Sequence, residues 1–153
     1  MPTAAPTLIF VNLPVRDLAK ARAFYEAIGA TPNLQFTDDT AACMVFSETI
    51  HVMLLTHDKF RQFTPKPIAD RGTTEVLICL SAGSRDAVDA MVAKAGEAGG
   101  VLDPAPLQDY GFMYGRSFED PDGHIWEVMW MDTAAAAAAM APSETAAPEP
   151  ALA

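Results

Sequence analysis

The segment Asp120-Pro121-Asp122-Gly123-His124-Ile125-Trp126-Glu127 specifies a tight turn followed by a strand. Proline presets φ at the first central position of a turn and Gly123 can adopt a positive φ, so the sequence predicts a type I turn closed by a glycine bulge. The segment is therefore the tip of a β-hairpin. A three-residue loop places Ser117 opposite Glu127, whereas a two-residue loop places Arg116 there. The Asp-Pro-Asp-Gly sequence favours the three-residue form, and hence Ser117.

The strand after this turn carries one carboxylate on an otherwise apolar face. Alternation predicts two faces, one with Ile125, Glu127, Met129 and Met131, and the other with His124, Trp126, Val128 and Trp130. An ionised carboxylate among apolar side chains is unfavourable unless it is paired, hydrogen-bonded or bound to a cation. Glu127 is therefore the candidate catalytic or binding residue, and a structural hydrogen bond to Ser117 is the alternative. His124, on the opposite face, is expected at the surface of the turn.

Composition limits the classes of function. The chain has 153 residues, half of them hydrophobic, which suffices for one domain with a core. Its formal net charge of −10 argues against non-specific binding to nucleic acid or anionic membranes, so a small molecule or a protein is the expected partner. No apolar run approaches the roughly 20 residues of a membrane span and no leader pattern opens the chain, so a cytoplasmic location is expected. Cys43 and Cys79 lie in apolar runs and are expected to be buried, reduced thiols.

The periodicity predicts the order βαβββ twice. In module one, residues 7–57, a strand at 8–15 precedes a helix capped by Asp17 and ended by Gly29, and strands follow at 33–37, 41–47 and 49–56. The helix carries an apolar stripe of Ala21, Phe24, Tyr25 and Ile28. In module two, residues 74–131, a strand at 74–81 precedes a helix capped by Ser84, and strands follow at 101–102, 112–119 and 124–131.

The remaining segments lack this periodicity. Residues 58–73 are predicted to be a linker that opens with one helical turn. Residues 1–6 are expected to be disordered, and so is the Ala/Pro-rich tail at 132–153, which has no amphipathic period. A short helix over residues 134–139 is the alternative for part of this tail.

Two motifs carry a resemblance to a known family. The run Val-Asn-Leu-Pro-Val-Arg-Asp-Leu-Ala-Lys-Ala-Arg-Ala-Phe-Tyr-Glu-Ala-Ile-Gly at 11–29 and the run Glu-Asp-Pro-Asp-Gly-His-Ile-Trp-Glu-Val at 119–128 resemble the vicinal-oxygen-chelate superfamily. This superfamily contains glyoxalases, bleomycin-resistance proteins, fosfomycin-resistance enzymes and extradiol dioxygenases, and the chain is most similar to its predicted lactoylglutathione lyase branch. The resemblance covers about residues 7–131. It implies an α+β fold in which paired βαβββ modules form a curled mixed sheet around a cleft, often in a homodimer.

The resemblance also implies positions for a metal site. In metal-dependent relatives, the first and last strands of each module each supply one inward ligand to a divalent ion. Carried over to this chain, module two supplies Glu75 and Glu127, both of which are acceptable to a hard cation. Module one supplies Phe10 and either Met53 or Leu54, none of which is a ligand for such an ion.

Other residues have open alternatives. Glu75 is alternatively a polar group at the entry of its strand. His51 and His57 are possible replacement ligands, although histidines at strand ends are more often solvated or hydrogen-bonded.

Two functions follow from these residues. In the first, a glyoxalase-like lyase or isomerase uses a divalent ion (zinc, nickel, manganese or iron) to polarise a carbonyl, with Glu127 as ligand and acid/base. In the second, a metal-free cleft sequesters a small aromatic or cationic compound, as in bleomycin-binding relatives. The substrate-binding residues expected in either case are Phe10, Asn12, Met53, Cys79, Tyr110, Met113 and Ser117.

Overall fold

Each half of the chain folds into one β-sheet with a helix packed against it. The structure, a computed structural model, describes residues 4–141. The first half contains β1 (Ile9–Val15), α1 (Leu18–Ala27), β2 (Thr31–Asn33), β3 (Ala41–Val45) and β4 (Ile50–Thr56). Its sheet has the order β1-β4-β3-β2, in which β1 and β4 are parallel and the other neighbours are antiparallel.

The second half repeats this arrangement. It contains β5 (Leu77–Ser81), α3 (Arg85–Glu97), β6 (Val101–Leu102), β7 (Gln108–Asp109), β8 (Met113–Glu119) and β9 (Ile125–Met131). The sheet order is β5-β9-β8-β6, with β7 pairing to β8 and with β5 and β9 parallel. Between the halves, α2 (His57–Arg61) opens the connection, and α4 (Thr133–Met140) follows β9. Two open mixed sheets in an α+β fold confirm the predicted paired modules.

Both long helices begin where the sequence predicts. The side chain of Asp17 accepts a hydrogen bond from the Lys20 amide at 3.1 Å, and the Ser84 hydroxyl accepts one from the Ala87 amide at 3.0 Å. These side chains satisfy amides that have no partner within the helix. The predicted apolar stripe of α1 is buried, with Phe24 and Tyr25 at most 1% exposed.

One hydrophobic core joins the two modules. The ring of Phe24 lies 6.0 Å from that of Phe118, and the ring of Tyr25 lies 5.8 Å from that of Trp126. Helix α1 of module one thus packs against strands of module two. Because the core lies on the helix side of both sheets, the opposite faces remain available for a ligand.

The hairpin that links β8 and β9 has the predicted geometry. The Asp120 amide donates to the His124 carbonyl at 3.0 Å, and the Gly123 amide donates to the Asp120 carbonyl at 3.0 Å. Gly123 has φ of 87°, a value that favours glycine. Ser117 pairs with Glu127 across the hairpin, which confirms the three-residue loop.

The expectation that His124 lies at the surface of the turn is wrong, because His124 is only 6% exposed. Its ring lies on the core side, the same side as Trp126. Nε2 lies 2.7 Å from the Pro14 carbonyl oxygen and Nδ1 contacts the Glu75 carboxylate. Asp120 is fully buried beside it, where it accepts a hydrogen bond from the Tyr25 hydroxyl at 2.6 Å.

Several boundaries differ from the sequence predictions. The strand predicted at 33–37 is instead β2, which ends at Asn33 and is followed by a 3-10 turn over Leu34–Phe36. The Asn33 side chain accepts from the Gln35 amide at 3.1 Å and so favours this turn over an extended strand. The strand predicted from residue 74 starts at Leu77, and β7 was not predicted.

The two cysteines and the C-terminal tail agree only in part with the sequence predictions. Cys43 is buried as expected, whereas Cys79 is exposed, because it points to the sheet face away from the helices. Helix α4 covers the part of the tail for which a short helix was the alternative. Residues 1–3 and 142–153, also expected to be disordered, lie outside the described residues. Within residues 4–141, no helix is long and apolar enough to cross a membrane.

Candidate functional site

The helix caps define which residues of the two modules are equivalent. Asn12 lies five residues before the cap Asp17 and pairs with Met53, and Cys79 lies five residues before the cap Ser84 and pairs with Glu127. Asn12 is therefore the counterpart of Cys79, and Met53 is the counterpart of Glu127. By the same count, seven residues before each cap, Phe10 corresponds to Leu77.

This register corrects the role expected for Glu75. Glu75 precedes β5 and contacts His124 on the core side of β9, whereas Glu127 points to the other side. The structure therefore does not bring Glu75 and Glu127 together. The predicted position is two residues out of register, because the counterpart of Phe10 is Leu77, the first residue of β5, and not Glu75.

A small cavity surrounds Glu127 on the face away from the helices. Its volume is about 70 Å³, and four of the predicted site residues line it: Glu127, Cys79, Met113 and Ser117. The sheet also contributes Met129, Gly115, Arg116 and Val128 to the wall. The structure thus gathers most of the predicted residues of module two into one site.

Three further wall residues were not predicted from the sequence. Ala105, Pro106 and Gln108 come from the segment between β6 and β8 and form a separate side of the cavity. The Ala105 amide donates to the Ser117 hydroxyl at 3.2 Å, and Ser117 is only 3% exposed. This segment has no periodicity, so nothing in the sequence pattern places it over the sheet.

The Glu127 carboxylate has neither a hydrogen bond nor an ion pair with any other side chain of residues 4–141. Arg116 also lines the cavity, but its guanidinium is bound to Asp89 at 3.0 Å and to Asp103 at 2.7 Å. Those two carboxylates offset its charge. Burial, and then the neighbouring Glu127 carboxylate, raises the pKa of the Cys79 thiol, so this cysteine is a weak nucleophile at neutral pH.

The predicted residues of module one lie on the corresponding face of its sheet. Phe10, Asn12 and Met53 alternate with the buried residues Leu13 and Leu54. The rings of Phe10 and His51 stack at a centroid distance of 4.6 Å. Phe10 is half exposed and forms an aromatic platform on this face.

Tyr110 lies apart from these residues. It is 60% exposed and stacks on Phe112 at a centroid distance of 6.3 Å, next to the segment that borders the cavity. Tyr114, four residues further along the chain, is turned towards α3, where its hydroxyl donates to Asp89 at 2.6 Å. The structure therefore separates the aromatic residues of this region.

The donor set does not fit a divalent metal ion held by the first and last strands of the two modules. The four corresponding positions are Phe10, Met53, Leu77 and Glu127, and only Glu127 offers an oxygen ligand. His57 begins helix α2, and the Nδ1 atom of His51 is buried without a hydrogen-bond partner. Among the described residues, no group of three His, Cys, Asp or Glu side chains is placed to hold a metal ion.

Comparison with known proteins agrees with this architecture. Residues 7–128 match the sequence model of the Glyoxalase/Bleomycin resistance protein/Dioxygenase superfamily. No curated protein matches the chain.

Solved structures share the fold. A hypothetical protein from S. aureus is 29% identical, with a TM-score of 0.68 over 83% of this chain and 95% of its own. An antibiotic-binding protein from Streptomyces is 20% identical, with a TM-score of 0.59 over 86% of this chain and 100% of its own. A fosfomycin resistance protein from Listeria monocytogenes is 20% identical, with a TM-score of 0.60 over 83% of this chain and 92% of its own.

Proposed function

Because the chain belongs to the glyoxalase, bleomycin resistance and dioxygenase superfamily, we propose that it binds a small organic cation with an apolar body. The ligand lies on the sheet face that carries Glu127, and no metal ion takes part. The observation that carries this proposal is the Glu127 carboxylate, which faces a cavity lined by Cys79, Met113 and Met129 without a cationic partner of its own among the described residues.

The charge of Glu127 and the polarisable side chains around it favour such a ligand. A partly buried carboxylate without a partner gains most from a ligand that brings its own positive charge. The thioether side chains of Met113 and Met129 in the cavity wall adapt to flat or irregular apolar ligands. The formal net charge of −10 raises the local concentration of cations around the whole molecule.

The relatives support sequestration as one use of this fold. The Streptomyces protein binds an antibiotic, and the Listeria protein confers fosfomycin resistance. We therefore propose that this chain holds its ligand rather than transforming it.

The test is fluorescence and calorimetric titration with aromatic ammonium compounds, from benzyltrimethylammonium to crystal violet, at pH 7 in buffer with a chelator. Binding should survive the chelator and weaken at least about tenfold in Glu127→Gln, since about 1.4 kcal/mol of charge pairing corresponds to that factor. The matched control is Glu97→Gln, on the exposed end of α3. Equal affinity of wild type and Glu127→Gln for every cation would refute the proposal.

A glyoxalase-like enzyme remains the second candidate, favoured by the position of Glu127. It is the one carboxylate of the four corresponding strand positions, and an unpaired carboxylate in a partly dry site is a suitable acid/base. The two functions separate in an assay of lactoylglutathione lyase activity with added zinc, nickel or manganese. Turnover that is lost in Glu127→Gln would replace the binding proposal.

We also propose that two copies of the chain associate through the open sheet faces. Strands β1 and β5 each lie at the edge of a sheet, and Ile9, Phe10 and Leu77 on them are about half exposed. Unpaired edges with exposed apolar side chains are unfavourable in water. Analytical ultracentrifugation should give a dimer for wild type and a monomer for Leu77→Glu, with Phe36→Glu, an exposed apolar residue in a 3-10 turn outside the strands, as the control.

A further inference from the structure

The segment between β6 and β8 borders the Glu127 cavity in a way that limits what the cavity admits. Its residues 103–111, called the flap here, supply the wall formed by Ala105, Pro106 and Gln108. With the flap in place the cavity measures about 70 Å³, well below the roughly 300–1,000 Å³ of pockets that hold drug-sized ligands. Ser117 lies beneath the flap, and its hydroxyl is occupied by the Ala105 amide.

Little apolar burial holds the flap down. Every residue from 101 to 111 is exposed, including Leu107 at 49% and Tyr110 at 60%. Its backbone pairs with β8 through β7, opposite Gly115 and Tyr114. At its two ends, the Asp103 amide donates to the Ser117 carbonyl at 2.9 Å and the Tyr110 amide donates to the Met113 carbonyl at 2.8 Å. Segments with few buried contacts open at a lower free energy than the core.

The two ends of the flap have backbone conformations suited to hinges. Asp103 has φ of 48° and Gly111 has φ of 79°, so both lie in the left-handed region. Asp103 is the one non-glycine residue with positive φ in the described part of the chain. A non-glycine residue keeps a positive φ only when contacts with the surrounding structure stabilise that conformation.

Two arginines supply that fixation. Arg116 holds Asp103 through two hydrogen bonds of 3.1 and 2.7 Å. Arg85, at the start of α3, holds Asp109 through two hydrogen bonds of 2.9 and 2.8 Å and donates to the Gly111 carbonyl at 2.9 Å. The Arg85 guanidinium holds the pKa of Asp109 down to about 2, so this pair stays ionised at any physiological pH.

Unlike Arg116, Arg85 does not line the cavity. Its guanidinium lies over the rings of Tyr114 and Trp130, 5.0 and 5.5 Å from their centroids. These rings fix the orientation of the guanidinium. Arg85 is therefore held in place by its helix and by the strands that carry the rings, and it contacts the flap from this rigid support.

We propose that Arg85 sets the size selectivity of the Glu127 site by holding the flap closed through Asp109 and Gly111, a contact called the latch here. Larger ligands enter only when these bonds break and the flap rotates outward about hinges at Asp103 and Gly111. The inference rests on the proposed function for the identity of the ligand, but the latch itself is a property of the free protein. Opening the flap frees the Ser117 hydroxyl beside Glu127. Because the Arg85–Asp109 pair is partly exposed, salt weakens it and favours opening.

The first test is amide hydrogen exchange without any ligand. In Arg85→Gln the amides of Ala105 and Tyr110 should exchange about two- to fivefold faster than in wild type, the range expected from loss of an exposed ion pair. Raising the salt concentration should speed the same amides in wild type but not in Arg85→Gln. The matched control is Arg22→Gln, because the Arg22–Glu26 pair has similar exposure on α1.

Three results would overturn the latch: unchanged exchange in Arg85→Gln, equal acceleration in the β4 amides, or unprotected Ala105 and Tyr110 amides in wild type.

The second test uses stopped-flow association of benzyltrimethylammonium and of crystal violet. Arg85→Gln should speed association of crystal violet at least about threefold relative to the smaller cation, and an equal effect on both would exclude size selectivity. If neither cation binds, the proposed ligand class fails while hydrogen exchange still decides the latch.

Discussion

The Nε2 atom of His124 lies 2.7 Å from the carbonyl oxygen of Pro14, so a histidine of module two is bonded to the end of β1 in module one. Its Nδ1 atom contacts the Glu75 carboxylate. Both ring nitrogens therefore face acceptors, and only the doubly protonated imidazolium donates from both. The pair of contacts ties the linker, β1 and the hairpin together around one charged group.

This arrangement predicts a pH-dependent stability. Burial lowers the pKa of His124, but the Asp120 carboxylate, the Pro14 carbonyl and the Glu75 carboxylate outweigh it, and the net pKa is raised above 6.5. A raised pKa means that the folded state binds the proton more tightly than the unfolded state. The stabilisation is therefore complete below pH 6.5 and is lost as the pH rises through the folded-state pKa.

The measurement is urea unfolding of wild type and His124→Gln between pH 6 and 9. We expect His124→Gln to be about 2–4 kcal/mol less stable at pH 6, the range for losing a buried charged partner, and to show a flatter pH dependence. The control is His57→Gln, at the start of α2. Parallel pH profiles for wild type and His124→Gln would contradict the assignment of a charged His124.

A second buried contact predicts the effect of one hydroxyl. The Tyr25 hydroxyl donates to Asp120 at 2.6 Å and accepts from the Trp126 indole at 2.9 Å, and burial raises its pKa well above 10.0. Tyr25→Phe leaves both partners buried without their bond. We expect a loss of about 2–4 kcal/mol in the free energy of unfolding, because each unsatisfied buried group is worth about 1–3 kcal/mol.

The control for this variant is Tyr110→Phe, because Tyr110 is 60% exposed. Chemical denaturation at pH 7 measures both. A Tyr25→Phe protein as stable as wild type would mean that water or a shifted side chain satisfies Asp120.

Local patterns in the sequence predicted the fold and four of the residues that line the Glu127 cavity. Asp17 and Ser84 cap helices because a side-chain oxygen follows a strand at the right distance, and Gly123 fixes the register that sets Ser117 against Glu127. These features depend on neighbours in sequence. They identified the repeat and the Glu127 face correctly.

The errors arose where distant segments meet. Nothing near His124 in the sequence indicates that Pro14 and Glu75 will bond to it, and its burial follows from the shared core of the two modules. The sequence also does not predict that the flap borders the cavity. Ala105 is placed there by its amide hydrogen bond to the Ser117 hydroxyl, and no strand pattern covers this segment. The role predicted for Glu75 is wrong because three residues predicted as strand, 74–76, are not paired in the sheet.

The register of the two modules predicts weak metal binding. Since Phe10, Met53 and Leu77 offer no ligand beside Glu127, water would have to fill the other positions around a bound ion. We expect purified protein to retain no stoichiometric zinc, nickel, manganese or iron after dialysis, as measured by plasma emission spectroscopy. Retention of about one ion per chain that disappears in Glu127→Gln would revive a metal-dependent enzyme.

The stability of Glu127→Gln distinguishes a functional role of this carboxylate from a structural one. In the structure it pairs with Ser117 and Cys79 on the neighbouring strands, and within residues 4–141 no side chain donates a hydrogen bond to its carboxylate. A carboxylate kept in such a place for binding carries an unrelieved desolvation cost. Replacing it by a neutral amide of similar shape should leave the melting temperature unchanged or raise it. The corresponding gain in the free energy of unfolding is at most about 1 kcal/mol.

The measurement is thermal unfolding of wild type and Glu127→Gln at pH 7 in ligand-free buffer with a chelator, with Glu97→Gln as the surface control. A loss of about 1–3 kcal/mol in Glu127→Gln alone would identify the carboxylate as a structural hydrogen-bond partner, because that is the scale for removing one member of a buried polar pair.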